Sequence, residues 1–233
     1  MLTIRKSGDR GYVRLSWLES RHTFSFGDYY DPEHMGFSVL RVINEDHIAA
    51  GGGFGTHGHQ DMEIITFMVA GALEHQDSLG NGSVIKPGII QRMSAGTGIR
   101  HSEFNHSQKE KAHLLQIWLL PDRRGVKPGY EDRHFEQLDQ PNVLHLVVSP
   151  TGEQNSLAIH QDVKLYSAKI YQEKFNIPLQ KNRSYWLQCV AGSSYAGDVK
   201  ISAGDALAIS NEQEMQLANN QGFEFLFFDM PPD

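Results

Sequence analysis

The apolar residues of this 233-residue chain come in short runs cut by glycine and polar residues, and none keeps a helical period of 3.6 over twelve positions. The clearest runs are 37–43 (FSVLRVI), 64–69 (IITFMV), 113–120 (HLLQIWLL), 143–148 (VLHLVV), 185–190 (YWLQCV) and 223–228 (FEFLFF). Their β-branched and aromatic residues suit a pleated, half-buried surface. The 22 glycines between them mark frequent turns. The pattern predicts an all-β chain with at most short helices.

The runs are arranged as an internal echo. Val69-Ala70-Gly71 is answered by Lys86-Pro87-Gly88, and Val190-Ala191-Gly192 by Ser202-Ala203-Gly204-Asp205. Each half therefore reads as strand, glycine turn, strand, glycine turn, strand. Between them, 121–141 (PDRRGVKPGYEDRHFEQLDQP) is polar, charged and bounded by proline, as a linker or irregular strap would be. Two small β-barrels or sandwiches in tandem follow, because closing or doubling short sheets hides their edges. The division places an N-terminal domain with the linker at 1–133 and a C-terminal domain at 134–233.

Charge and cysteine content narrow the function. Twenty-one Lys and Arg stand against 28 Asp and Glu, with a pI near 5.9 and no basic run longer than a pair, which argues against a nucleic-acid partner. The single Cys189 can close no intrachain disulfide and excludes zinc sites built on several thiolates. Any metal is then held by nitrogen and oxygen. The first residues, MLTIRKSGDRGYVRLS, are too polar for a signal peptide. The longest apolar stretch, 64–73, is broken by Thr66 and Gly71. The expectation is a cytoplasmic protein with no membrane partner.

Twelve histidines are the second compositional signal. His57-Gly58-His59 follows the glycine-rich Gly51-Gly52-Gly53-Phe54-Gly55-Thr56. Gly96-Thr97-Gly98-Ile99-Arg100-His101-Ser102-Glu103-Phe104-Asn105 follows some forty residues later. Residues i and i+2 of a strand share a face. His57 and His59 can thus enter one barrel interior together, as can His101 and Glu103. On neighbouring strands, three imidazoles and a carboxylate would converge. That set suits Fe, Mn, Co, Ni, Cu or Zn rather than Ca or Mg. Four protein ligands on an octahedral ion leave two positions for substrate or O2.

These residues carry a resemblance. Gly51-x5-His57-x-His59-x3-Glu63, then Gly96-x-Gly98-x2-His101-x3-Asn105, resembles the two cupin motifs. More narrowly, His22-Thr23-Phe24-Ser25-Phe26, Phe54-Gly55-Thr56-His57-Gly58-His59, Asp61-Met62-Glu63, Glu74-His75-Gln76-Asp77-Ser78 and Met93 to Glu103 look like the pirin family, above all its bacterial quercetin 2,3-dioxygenases. The likeness covers the first half closely and continues more loosely to Phe228-Asp229-Met230-Pro231-Pro232. It implies a bicupin, two jelly-roll barrels in tandem, with one metal in the N-terminal barrel on His57, His59, His101 and Glu103. Ordinary cupins take their fourth ligand from the first motif, here Glu63. The face shared with His101 favours Glu103 and leaves Glu63 as a pocket carboxylate, but sequence alone does not choose between them. The closing glycine of the first motif falls one residue late, at Gly71. Pro178, Gln180 and Ser184 stand at the matching positions of the second half, so the C-terminal barrel is expected to hold no metal.

The resemblance implies oxidative cleavage of a flavonol such as quercetin by O2, with release of carbon monoxide. The cofactor would be one divalent transition metal, iron(II) first, with Ni, Co, Mn, Cu or Zn as alternatives. Glu103 would act as ligand and as general base for the flavonol 3-hydroxyl. Phe24, Phe26, Tyr30, Phe37, Phe54 and Phe104 are candidates for an apolar mouth, with core packing the commoner fate of such residues. Two other functions fit the same residues: a metal- or redox-responsive regulator that binds a protein partner without turnover, as proposed for nuclear pirins, and a cupin enzyme acting on a different phenol. His75 reads as a partly buried structural histidine, with a strand position close to the site as the alternative, and His106, His113, His134, His145 and His160 show no companion at ligand spacing.

Overall fold

The computed structural model of the protein describes residues 1–218 and 220–233. Contacts group them into two compact units. One is Gly11–Phe135 with Ile159–Gln161; the other is Met1–Arg10 with Glu136–Ala158 and Asp162–Asp233. Helical structure among the described residues is limited to three short 3-10 turns, and no helix is long and apolar enough to cross a membrane.

The chain begins with β1 (Leu2–Arg5). The N-terminal unit follows with β2 (Gly11–Arg14), β3 (Leu18–His22), β4 (Leu40–Ile48), β5 (Gly53–His59), β6 (Glu63–Ala70) and β7 (Leu73–Asp77). It continues with β8 (Gly82–Ile85), β9 (Ile89–Ser94), β10 (Ile99–Asn105), β11 (Ala112–Leu119) and β12 (Gly129–His134). The C-terminal unit contains β13 (His145–Ser149), β14 (Leu157–Ala158), β15 (Lys164–Ile170), β16 (Lys174–Pro178) and β17 (Ser184–Ala191). Its last strands are β18 (Ser193–Ala196), β19 (Val199–Ser202), β20 (Ala206–Ser210), β21 (Glu214–Ala218) and β22 (Phe223–Met230).

Each unit pairs a seven-stranded with a four-stranded sheet. The N-terminal orders are β12-β9-β6-β11-β4-β3-β2 and β5-β10-β7-β8; the C-terminal orders are β1-β20-β17-β22-β15-β13-β14 and β16-β21-β18-β19. The two units share one double-sheet plan, a jelly roll built twice, as the echo predicts; they part at one edge, where β2 pairs antiparallel with β3 but β14 pairs parallel with β13. Each of the six apolar runs overlaps an interior strand of a large sheet. The first strand, β1, joins the C-terminal unit because it adds to the free edge of β20.

The echoed glycines show why the turns recur. Gly71 and Gly192 both take left-handed backbone, with φ of 76° and 73°. A Cβ on either would lie 2.8 Å from a backbone oxygen, that of Lys111 or of Gly222. Only glycine meets both demands without strain.

In the N-terminal unit, Leu18, Ile48, Met68, Ala112 and Leu114 of the large sheet pack on Leu73 and Ile85 of the small one. A second apolar cluster, Ile64, Met93, Ala95 and Ile99, lies apart from it. In the C-terminal unit a cluster runs through both sheets, from Leu187, Leu207 and Phe227 to Ile177, Met215 and Leu217. Each such side chain contributes roughly 1.5–3 kcal/mol by leaving water.

Candidate metal centre

β10 alternates strictly: Ile99, His101, Glu103 and Asn105 are buried, while Arg100 and Phe104 are exposed. His101 and Glu103 therefore enter the sandwich on one face. β5 pairs with β10 so that His57 lies directly across from His101, and His59 from Ile99. One extra residue on β5 then shifts the register, so that Glu103 faces Phe54. This bulge falls between Phe54 and His57, beside the ligand pair.

The three imidazoles meet. His57 Nε2 and His59 Nε2 each lie 3.0 Å from His101 Nε2. Two donors about 2.1 Å from one ion, in cis positions of an octahedron, are about 3.0 Å apart, so the spacing fits coordination. The tautomer fits too. His57 Nδ1 sits 2.8 Å from the Gly55 carbonyl oxygen, which can only accept, so the ring proton lies on Nδ1 and Nε2 keeps its lone pair. Burial, reinforced by the neighbouring His57, holds His59 down to about 4. Burial and then His57, His59 and His75 hold His101 down to about 3. At neutral pH both rings are uncharged and able to ligate.

Glu103 joins the cluster from the side. Its carboxylate lies within 4.8 Å of donor atoms of His101 and His75, a group that shares His101 with the His57, His59, His101 group. It is 3% exposed, and burial raises its carboxyl to about 7 against the opposing hydrogen bond from Gln116, with Asp46 adding to the rise. Gln116 Nε2 donates to Glu103 Oε2 at 2.9 Å. Oε1 is buried with no hydrogen-bond partner among the described residues, as is the indole Nε1 of Trp118. An orphaned carboxylate oxygen beside three lone pairs is what a cation site leaves when only protein atoms are counted.

Glu63 is engaged elsewhere. Ser94 donates to its Oε2 at 2.7 Å, and His160 Nδ1 lies 3.0 Å from its Oε1. Asn105, which completes the second motif, is a clip: its amide donates to the carbonyls of Ile48, Ala49 and Glu110.

A polar row, buried except at its half-buried Asp132 end, supports Glu103. Side by side across the large sheet stand Asp132, Gln91, Thr66, Gln116, Asn44 and His22, on β12, β9, β6, β11, β4 and β3. Gln91 Nε2 donates to Thr66 Oγ1 at 3.1 Å, and Thr66 donates to Gln116 Oε1 at 3.0 Å. Gln116 in turn donates to Glu103. Each donor is fixed by the one before it, so the amide of Gln116 cannot flip without breaking the chain. Tyr130 caps the far end, donating to Asp132 at 2.8 Å and stacking on His75 at 4.5 Å.

Comparison with known proteins is consistent along the whole chain. A family model described as Pirin matches residues 4–119, and one described as Quercetinase C-terminal cupin domain matches 146–230. The chain is 46% identical over 233 residues to the quercetin 2,3-dioxygenase of Escherichia coli K12, covering all of both proteins. The chain belongs to the pirin family. A putative quercetin 2,3-dioxygenase of Pasteurella multocida is 43% identical, over 99% of this pirin and all of that protein. The solved structure of the E. coli pirin YhhW in complex with nickel(II) matches with a TM-score of 0.95, 46% identity and full coverage of both chains.

Around the centre of this pirin stand His75, whose alternative sequence reading placed it close to the site, and Trp118 and Gln116, which sequence reasoning missed. His75 is fully buried, its Nδ1 3.4 Å from His101 Nδ1 and its Nε2 3.4 Å from Asp77. Trp118 stands edge-on to His59 at 4.8 Å, with Phe26 edge-on to Trp118 at 5.3 Å. Trp118 and Gln116 lie two apart on one strand, a period-2 signal that the apolar run around them hides. Of the candidate mouth aromatics, Phe24 is core, Phe54 packs on Trp17 beside His57, and Tyr30 and Phe104 are exposed. His59 also lines an open depression of about 550 Å³, together with Gln60, Ser78, Ile99 and Arg100.

Proposed function

We propose that this pirin is a metal-dependent dioxygenase that opens flavonols such as quercetin with O2 and releases carbon monoxide, with iron(II) as its native ion. The observation that carries the reading is the convergence of three imidazole Nε2 atoms at octahedral cis spacing, in a chain matched end to end by a quercetin 2,3-dioxygenase. His57, His59, His101 and Glu103 would hold the ion. When bound, such an ion supplies Lewis acidity toward a phenolic oxygen and a redox-active centre for O2.

The protein's own contribution is positioning and proton handling. Glu103 Oε1 accepts the proton of the flavonol 3-hydroxyl, while Gln116 holds Oε2. Gly55 fixes the ring of His57, and His75, backed by Asp77, fixes that of His101. Trp118 and Phe54 offer flat apolar faces beside His59 and His57 for a planar substrate.

The test is direct. Metal-free protein is loaded anaerobically with Fe(II), Ni(II), Co(II), Mn(II), Cu(II) or Zn(II), then given quercetin and air. Bleaching of the flavonol absorbance with release of carbon monoxide is expected, fastest with iron. No bleaching with any of the six ions would end the proposal. Glu103→Gln should keep metal and lose turnover while Glu63→Gln stays active; the reverse would reassign the fourth ligand.

A further inference from the structure

A second group of ligand atoms lies on the opposite face of the same large sheet. β4 carries Glu45 and His47, two positions apart and so on one face, and β11 places His113 directly across from His47. Their donor atoms lie within 4.8 Å of one another. His113 Nε2 is 3.0 Å from Glu45 Oε1. The rings of His47 and His113 stack with centroids 4.0 Å apart and planes 22° apart. Asn44, Asp46 and Gln116 alternate with these residues and point into the sandwich, so the sheet itself separates this group from the centre around His101.

We propose that Glu45, His47 and His113 form a second metal site, for a borderline divalent ion such as zinc, nickel or copper(II). Two nitrogens and one carboxylate oxygen are a donor set for these ions and a poor one for calcium or magnesium. Paired interior strands hold the three backbones, and one ring must turn out of the stack about its side-chain torsions to aim its lone pair at the ion that the other faces. Glu19, facing His47 from β3, adds negative charge beside it. His113 and Glu45 are 20% and 16% exposed, which leaves an ion access from solvent and room for water on its remaining positions.

The site is independent of the dioxygenase reading. Metal-free full-length protein is titrated with zinc by calorimetry, and stoichiometry is checked by elemental analysis after dialysis. The wild type is expected to bind two zinc ions per chain, and His47→Gln and His113→Gln one each. Quercetin turnover in both variants should stay within about twofold of wild type, since neither touches the first site. His57→Ala should also bind one, and its copper(II) form should show nitrogen hyperfine splitting that vanishes when His47→Gln is added. That double variant guards against a misfolded single variant, because its reference is His57→Ala itself. A wild-type stoichiometry of one, or two ions that both survive His47→Gln and His113→Gln, overturns the site. Loss of an ion in His57→Ala bears on the first centre alone.

Discussion

Across the large sheet of the N-terminal unit the row Asp132, Gln91, Thr66, Gln116, Asn44 and His22 runs through strands whose counterparts in the C-terminal unit carry Ile4, Leu207, Leu187, Phe227, Tyr166 and Leu146. The two sheets have one strand order and matching register, yet every polar position in one is apolar or aromatic in the other. The same holds around the candidate centre: Ala196, four residues past Gly192, stands where His75 stands past Gly71, so Leu217 across from it matches Glu103, and Met215 matches His101. A buried hydrogen bond contributes about 1 kcal/mol net, less than the roughly 1.5–3 kcal/mol of a buried Leu or Phe. The N-terminal interior thus forgoes stability along a whole row to keep one carboxylate aligned. Its twin fills the row with hydrocarbon.

The contrast can be broken most severely at the ion. His101→Ala should strip the metal and cut turnover at least about 100-fold, whereas Met215→Ala should leave metal content unchanged, as elemental analysis and the quercetin assay would show. Retention of metal by His101→Ala would undo the distinction between the units. Phe227→Gln, which writes the polar residue into the apolar row, should destabilise by about 4 kcal/mol in urea unfolding, since neither Leu187 nor Tyr166 can bond its amide. The reciprocal Gln116→Leu should be milder. It strands the Thr66 hydroxyl and Glu103 Oε2, costing about 2 kcal/mol, and lowers kcat about tenfold with the metal retained. Unchanged kcat would mean that the row does not align Glu103. Thr66→Val sits one bond further away and should cost about 1 kcal/mol with turnover nearly intact.

How much of this could be read in the chain depends on distance along it. His57 with His59, and His101 with Glu103, were legible because two-residue spacing fixes a shared face without knowledge of any partner strand. The jelly roll repeated twice was legible because Gly71 and Gly192 mark turns that only glycine can make. What lay hidden depends on register. Thr66, Gln91 and Gln116 sit inside apolar strands at no recognisable spacing and become a chain only once three strands align. His75 looked structural because its companion, His101, is on another strand. His113 seemed solitary for the same reason, with His47 across from it and 66 positions earlier. The choice between Glu63 and Glu103 was open in sequence, since it turns on which face of a strand looks inward.

The pairing of β1 with β20 bears on how this chain reaches its final form. Leu2 is translated about 200 residues before its partner Ile209, one of the longest loop closures the fold requires. Until the two meet, β20 presents an unpaired strand edge, open to a neighbouring chain as well as to its own beginning. Assembly of the C-terminal unit therefore finishes only by drawing back a segment made long before, and crowded or hurried refolding should favour exchange of that segment between molecules.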